Sequence, residues 1–291
     1  MDANRLAIGT AQFGMDYGIA NTQGKVKDEE VALILNRAIQ DGVHMLDTAV
    51  GYGDSESVLG HTGINEWQVI TKLPELPLDC DDVCGWVRRT IIGSLQRLET
   101  KSLYAVLLHR PRQLTGGNGE ALYRGLQRLR GEGLCAKVGL SINGPEDLDL
   151  LLPHFDFDIV QAPFNVVDRR IETTGWLVSL VDAGVEVHAR SAFLQGLLLL
   201  AATGMPAGFE RWKETLELWR SWLVESGREP LEACLSFVLS HPEIAHIVVG
   251  VDSAVQLEQI LTVMRNLKSE MPPQALSSSD PDLVEPSRWR A

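Results

Sequence analysis

Cysteine is scarce, with four residues in 291: Cys80, Cys84, Cys135 and Cys234. Cys80 and Cys84 flank a short acidic stretch, with no second pair or neighbouring histidine to complete a zinc site. The sparse thiols read as those of a reduced, cytoplasmic protein, and no metal-ligand set is read from the chain. Basic charge is short as well. The 26 Lys and Arg against 39 Asp and Glu leave a formal net charge of −13. That excludes the broad basic footprint needed for nucleic acid or an anionic membrane, while leaving room for a local phosphate pocket. Long apolar runs are missing. "FLQGLLLLAA", from Phe193, is too short to span a bilayer, and "MDANRLAIGTAQFG" lacks the basic segment and apolar core of a secretory signal. No GxGxxG follows the first apolar run, where "GTAQFG" stands instead. This removes the main support for a doubly wound nucleotide-binding sheet.

What is present is alternation. Short runs rich in Val, Ile and Leu fall at residues 6–9, 43–47, 68–73, 103–109, 136–141, 159–163, 185–190 and 247–249. They are mostly apolar rather than alternating, as parallel strands buried on both faces are. Helical patterns lie between them, at 28–41, 81–98, 120–130, 145–152, 171–183 and 256–266. The first opens with acids, carries apolar residues at helical spacing and stops at Gly42. The pattern predicts a single-domain α/β protein, a (β/α)8 TIM barrel over residues 1–270. The proline- and serine-rich stretch 271–291 is expected to be an irregular tail.

In such a barrel, chemistry sits at the carboxyl ends of the strands. There the sequence places Asp47, Lys72 and His109, with Tyr52 just beyond Asp47 between Gly51 and Gly53. Alone, each has a bland reading as a solvated charge, a satisfied polar group or a turn residue. Together they suggest a general acid. A phenol titrates near 10, too high for efficient proton donation at neutral pH, and a neighbouring ammonium lowers it. Lys72 is the expected ammonium, Asp47 its anchor, and His109 a hydrogen-bonding partner for the same substrate oxygen. The glycines are expected to present Tyr52 to the mouth.

"LAIGTAQFG", "LDTAVGYG", "VITKLP", "LLHRP" and "VVGVDSAVQLEQIL" together resemble the aldo-keto reductase family along nearly the whole chain. The family's Asp–Tyr–Lys–His tetrad matches Asp47, Tyr52, Lys72 and His109. The resemblance implies an NAD(P)H-dependent oxidoreductase that reduces an aldehyde or ketone. It implies a dinucleotide lying across the barrel mouth, held by Gly9, Thr10, Asp47, Ser141, Gln161, Arg190, Ser191, Phe193, Leu194, Gln195, Gly196, Gly250, Asp252, Ser253, Gln256 and Gln259. Arg190 stands where the family often has an aromatic residue stacking on the nicotinamide, and a guanidinium plane can also stack. Asn143 stands one place beyond a frequent family asparagine. Family habit favours NADP(H). NAD(H) stays open, because the motif from Gly250 offers no cation for a 2′-phosphate.

Phe13, Tyr17, Tyr52, His109 and Asn165 are the candidate substrate contacts, with Arg110, Phe164 and Phe193 as further wall residues. The expected partner is a small carbonyl compound, sugar-derived by resemblance to barrels of carbohydrate pathways. The protein is expected to be a monomer or small homo-oligomer. Two alternatives stand beside this reading: a nucleotide-binding regulatory barrel of slow turnover, and a lyase using Lys72 as a Schiff-base amine, which Asp47 opposes.

Overall fold

The computed structural model describes residues 3–19, 21, 23–201, 208–267 and 271–289; the outermost residues of both expected segments, 1–2 and 290–291, lie outside them. Eight parallel strands close into one barrel in sequence order. They are β1 (Leu6–Gly9), β2 (Met45–Asp47), β3 (Gln68–Leu73), β4 (Leu103–Leu108), β5 (Cys135–Ser141), β6 (Ile159–Pro163), β7 (Glu186–Arg190) and β8 (Ile244–Gly250). The ring closes where β8 pairs with β1, Gly250 lying opposite Gly9.

The helices alternate with the strands. In chain order they are α1 (Ala11–Gly14), α2 (Asp28–Gln40), α3 (Ser55–Thr62), α4 (Val83–Arg97), α5 (Gly119–Gly131), α6 (Glu146–Leu151), α7 (Arg170–Thr173), α8 (Trp176–Asp182), α9 (Lys213–Ser226), α10 (Pro230–Leu239), α11 (Ala254–Arg265) and α12 (Pro281–Val284). In α2 the acidic first turn complements the helix dipole, and Val31, Ile34, Leu35 and Ala38 form the buried stripe. Outward strand residues and these stripes make the main core. Inside the barrel a smaller layer of Ala7, Met45, Ile70, Ala105, Leu107 and Ile159 fills the centre.

Three features differ from the sequence reading. The helix expected at 171–183 is two helices, because Gly175 adopts a left-handed φ of 82° between them. Two helices stand between β7 and β8 where the sequence pattern predicts none. Nearly all of α10 is buried, so it lacks the polar stripe that marks a helix; α9 carries one, with Leu216, Trp219, Trp222 and Leu223 buried. The tail is not irregular throughout. It contains α12 and short 3₁₀ turns, and Leu276, Leu283 and Val284 are fully buried. Arg169 fixes it by donating to the carbonyls of Pro272 and Pro273 and to Gln274, and Arg170 reaches Glu285. Among the described residues no helix is long and apolar enough to cross a membrane.

Candidate active site

At the carboxyl end of the strands the barrel opens into a cavity of about 640 Å³. The termini of β2 and β3 place Asp47 and Lys72 side by side. Lys72 is 1% exposed. Its ammonium donates to Asp47 Oδ1 at 2.5 Å, to the Thr48 carbonyl at 3.0 Å and to Tyr52 Oη at 3.5 Å. The His109 ring stands edge-on to Tyr52, with centroids 5.9 Å apart. The structure therefore brings Asp47, Tyr52, Lys72 and His109 together. Tyr52, His109 and Asp47 line the cavity, and Lys72 lies behind them.

Burial outweighs attraction at the phenol. It pushes Tyr52 above its ordinary value, and the nearby Lys72 ammonium, which pulls it down, does not make up the difference. This corrects the expectation of a lowered phenol. At Lys72 burial opposes the charge, but Asp47 and Tyr52 together hold the ammonium above its ordinary value. Burial, reinforced by the positive charges of Lys72, Arg190 and Arg110, lowers His109 to about 4, so its imidazole is neutral at neutral pH.

The Tyr52 loop is fixed by an interlock. A Cβ on Gly14 would lie 1.8 Å from the Tyr52 carbonyl oxygen. Gly53 has φ 57°, and a Cβ there would meet the Gly14 oxygen at 2.2 Å. Gly51 has neither constraint, so Gly14 and Gly53, rather than Gly51 and Gly53, require glycine. Below the loop, Ser55 donates to the Thr10 carbonyl and contacts Thr48, joining the ends of β1 and β2 to α3.

A polar chain runs across the floor. Ser141 Oγ donates to Gln161 Oε1 at 3.3 Å, and Gln161 Nε2 donates to Asp47 Oδ2 at 2.6 Å. The link from Gln161 to Asp47 was not foreseen. Arg190 donates to the Ile142 carbonyl, Asn143 Oδ1 and Ser191 Oγ. Asn143 thus faces the cavity and holds the guanidinium in place. Ser191, Leu194, Gln195 and Gly196 have φ of 59°, 48°, 52° and 94°, coiling the segment after β7 beside Arg190. Gly9 and Gly250 offer bare backbone at the β1–β8 seam, where a Cβ on Gly250 would strike Gln12 Nε2 at 2.4 Å.

Gly9, Thr10, Ser141, Gln161, Arg190, Ser191, Phe193, Gln195, Gly196, Gly250, Asp252, Gln256, Gln259, Tyr17 and Arg110 all line the cavity. Besides Lys72, five expected residues do not. Phe13 and Phe164 are fully buried in the core, Phe164 against Phe237 and His241. Asn165 accepts from the Val167 and Asp168 amides and donates to the Ser191 carbonyl, so it shapes the chain behind the wall. Leu194 turns its side chain into the core and its amide to the Ser191 carbonyl. Ser253 caps α11 by accepting from the Gln256 amide. Gln12, Asn21, Leu231 and the tail residues Val284–Ser287 line the cavity without a motif that marks them. The tail brings its share only through tertiary packing, for which the sequence carries no local signal.

A model described as the aldo/keto reductase family matches residues 5–277. Among curated proteins, the chain is 26% identical over 189 residues to the NADH-specific methylglyoxal reductase of Escherichia coli (strain K12), a match covering 54% of each protein. The matched part is thus about half the length of that relative. It is 23% identical to the L-galactose dehydrogenase of Arabidopsis thaliana, over 97% of this chain and 92% of that protein. Among solved structures, the holo form of an aldo-keto reductase from Bacillus halodurans superimposes with a TM-score of 0.70 at 20% identity, covering 93% of this chain and 94% of that one.

Proposed function

The chain belongs to the aldo-keto reductase family, and on that premise we propose that it reduces an aldehyde or ketone to an alcohol with a nicotinamide dinucleotide, Tyr52 giving the proton. The observation that carries this reading is the ammonium clamp, in which buried Lys72 is fixed by Asp47 and directed at the Tyr52 oxygen on the cavity floor. The cavity fits a dinucleotide. It has glycine backbone at the seam, an amide and hydroxyl pair in Gln161 and Ser141, and the coiled segment beside Arg190. Ser141 and Gln161 would hold a carboxamide, Arg190 would lie against the ring, and the segment around Ser191 and Gln195 would serve the phosphates. The cofactor supplies hydride.

The remaining chemistry belongs to the side chains. Burial keeps Tyr52 protonated at neutral pH, so the hydroxyl is a donor. Its oxygen accepts from Lys72, which leaves the proton free to face the cavity. As that proton departs, the ammonium stabilises the phenolate. Neutral His109 contributes a hydrogen bond to the substrate oxygen without adding charge. Lys72 is sealed behind Asp47 and held charged, which argues against the Schiff-base alternative.

At the adenosine end, Asp252 and Gln256 line the cavity, and its cationic lining residues among those described, Arg110 and Arg190, lie elsewhere. Arg265 is paired with Asp41 and Glu258. These residues favour NADH, against family habit, and the named cofactor of the E. coli relative agrees. Tyr17, Asn21, Arg110, Asn143 and Gln195 make a polar wall suited to a hydroxylated carbonyl compound, in keeping with a relative named for L-galactose.

The test is oxidation of NADH and NADPH by the purified protein with a panel of hydroxylated aldehydes and ketones. Turnover with NADH preferred is expected, and Asp252→Ser with Gln256→Arg should move preference towards NADPH by about tenfold, or roughly 1.4 kcal/mol. No turnover with any carbonyl would leave the regulatory-barrel reading. Wild-type preference for NADPH by about a hundredfold would overturn the choice of cofactor.

A further inference from the structure

We propose a metal site at the opposite, amino-terminal end of the barrel, formed by Glu186, His188 and His246, for a divalent transition ion of the zinc type. Glu186 and His188 are two residues apart on β7 and therefore share a face. His246 on β8 is the register partner of His188, at a point where the pairing of β7 and β8 shifts. The imidazole centroids are 4.8 Å apart. One ligand atom from each of the three residues lies within 4.8 Å of the other two. Glu186 Oε1 is 2.6 Å from His188 Nε2 and 3.8 Å from His246 Nε2. A tetrahedral ion with bonds of about 2.0–2.2 Å needs ligand atoms roughly 3.5 Å apart, so small side-chain adjustments close the set.

A further observation points to a ligand. Glu186 is oriented as a metal-binding carboxylate is. Its Oε2 accepts from Tyr104 at 2.8 Å and from Lys137, which also donates to Tyr104 at 2.7 Å. Oε1 is left to the histidines. Two imidazoles and one carboxylate suit zinc and its neighbours rather than magnesium or calcium. The side chains of Glu186 and His246 are each 15% exposed, giving an entry path while His188 is sealed. On β7 the site ends at His188, two residues short of Arg190 at the cavity. Its role is to fasten β7 to β8 where their register slips, and the Lys137 charge limits its affinity.

The test is titration of Co²⁺ into the full-length protein, followed by visible absorption and by melting temperature. The wild type should develop a tetrahedral cobalt band and melt higher. His246→Gln should weaken binding by at least about a hundredfold and remove both effects. His246→Cys should keep the band and add thiolate-to-metal charge transfer in the near ultraviolet. This second variant decides the matter if circular dichroism shows His246→Gln unfolded. Equal cobalt binding by wild type and His246→Gln, no cobalt band in the wild type, or no charge transfer in His246→Cys would each overturn the proposal.

Discussion

The two ends of the barrel hold nearly the same side chains in different arrangements. At the carboxyl end stand Asp47, Lys72, Tyr52 and His109; at the amino end, Glu186, Lys137, Tyr104 and two histidines. The difference lies in where the phenol sends its proton. Tyr104 donates to Glu186 and accepts from Lys137, so its hydroxyl is spent inside the cluster. Tyr52 accepts from Lys72, its carboxylate partner lies on the far side of the lysine, and a cavity opens in front of it. An acid, a lysine and a tyrosine are thus not in themselves a proton-donating device. Order along the hydrogen-bond chain and an open face decide it.

The sharpest way to break this comparison is a pair of phenylalanine variants. Tyr52→Phe should lower carbonyl reduction by about 10²–10⁴-fold with cofactor affinity retained, while Tyr104→Phe should leave turnover unchanged. Steady-state rates and fluorescence titration of the cofactor give both readings. A Tyr52→Phe rate within about threefold of wild type would remove the distinction between the two ends.

A second comparison concerns the lysines. Lys72→Met leaves a buried carboxylate without its cation and should cost about 3–5 kcal/mol. Lys137 is one-third exposed, and Lys137→Met should cost about 1 kcal/mol or less. Denaturant unfolding measures both. Adding Asp47→Asn to Lys72→Met should restore stability but not rate, and a double variant no more stable than the single one would contradict the buried pair.

The smallest expected effect at neutral pH concerns His109, whose contribution emerges only in acid. In the folded protein it takes up a proton at about 4, whereas in an unfolded chain it does so near 6.5. Between these values the unfolded state binds more protons, so stability falls as pH falls, by at most about 1.4 kcal/mol per pH unit. His109→Gln should flatten this acid limb, as read from melting temperature against pH. An unchanged slope would mean that His109 is less shielded from water than the structure shows.

The alternation of strands and helices was legible because strands buried on both faces must read as short apolar runs. Asp47, Lys72 and His109 were legible because a polar residue closing such a run has little structural reason to be there. Burial direction was not legible. Phe13 follows two residues that face the cavity, yet one step along a helix turns it into the core. Phe164 and Asn165 follow β6 directly, but the chain turns there on the Asn165 side chain and carries both away from the mouth. Ser253 fits the pattern of a cofactor contact because the hydroxyl that caps a helix is the same hydroxyl that could bind an anion. The role of Gly14 depends on a contact with Tyr52 from a different loop, and that pairing has no trace in local sequence.

The segment after β7 holds three non-glycine residues, Ser191, Leu194 and Gln195, in left-handed conformations. Each costs about 1 kcal/mol or more relative to a relaxed backbone. The fold thus keeps free energy stored in the part of the mouth nearest Arg190, and the rest of the barrel holds it there. Selection for heat resistance would find its easiest gains at Ser191 and Gln195, by replacement with glycine, and not at Leu194, whose buried side chain outweighs its backbone strain. The same replacements would slacken the segment proposed to grip the phosphates, so durability and grip are set against each other over a few residues.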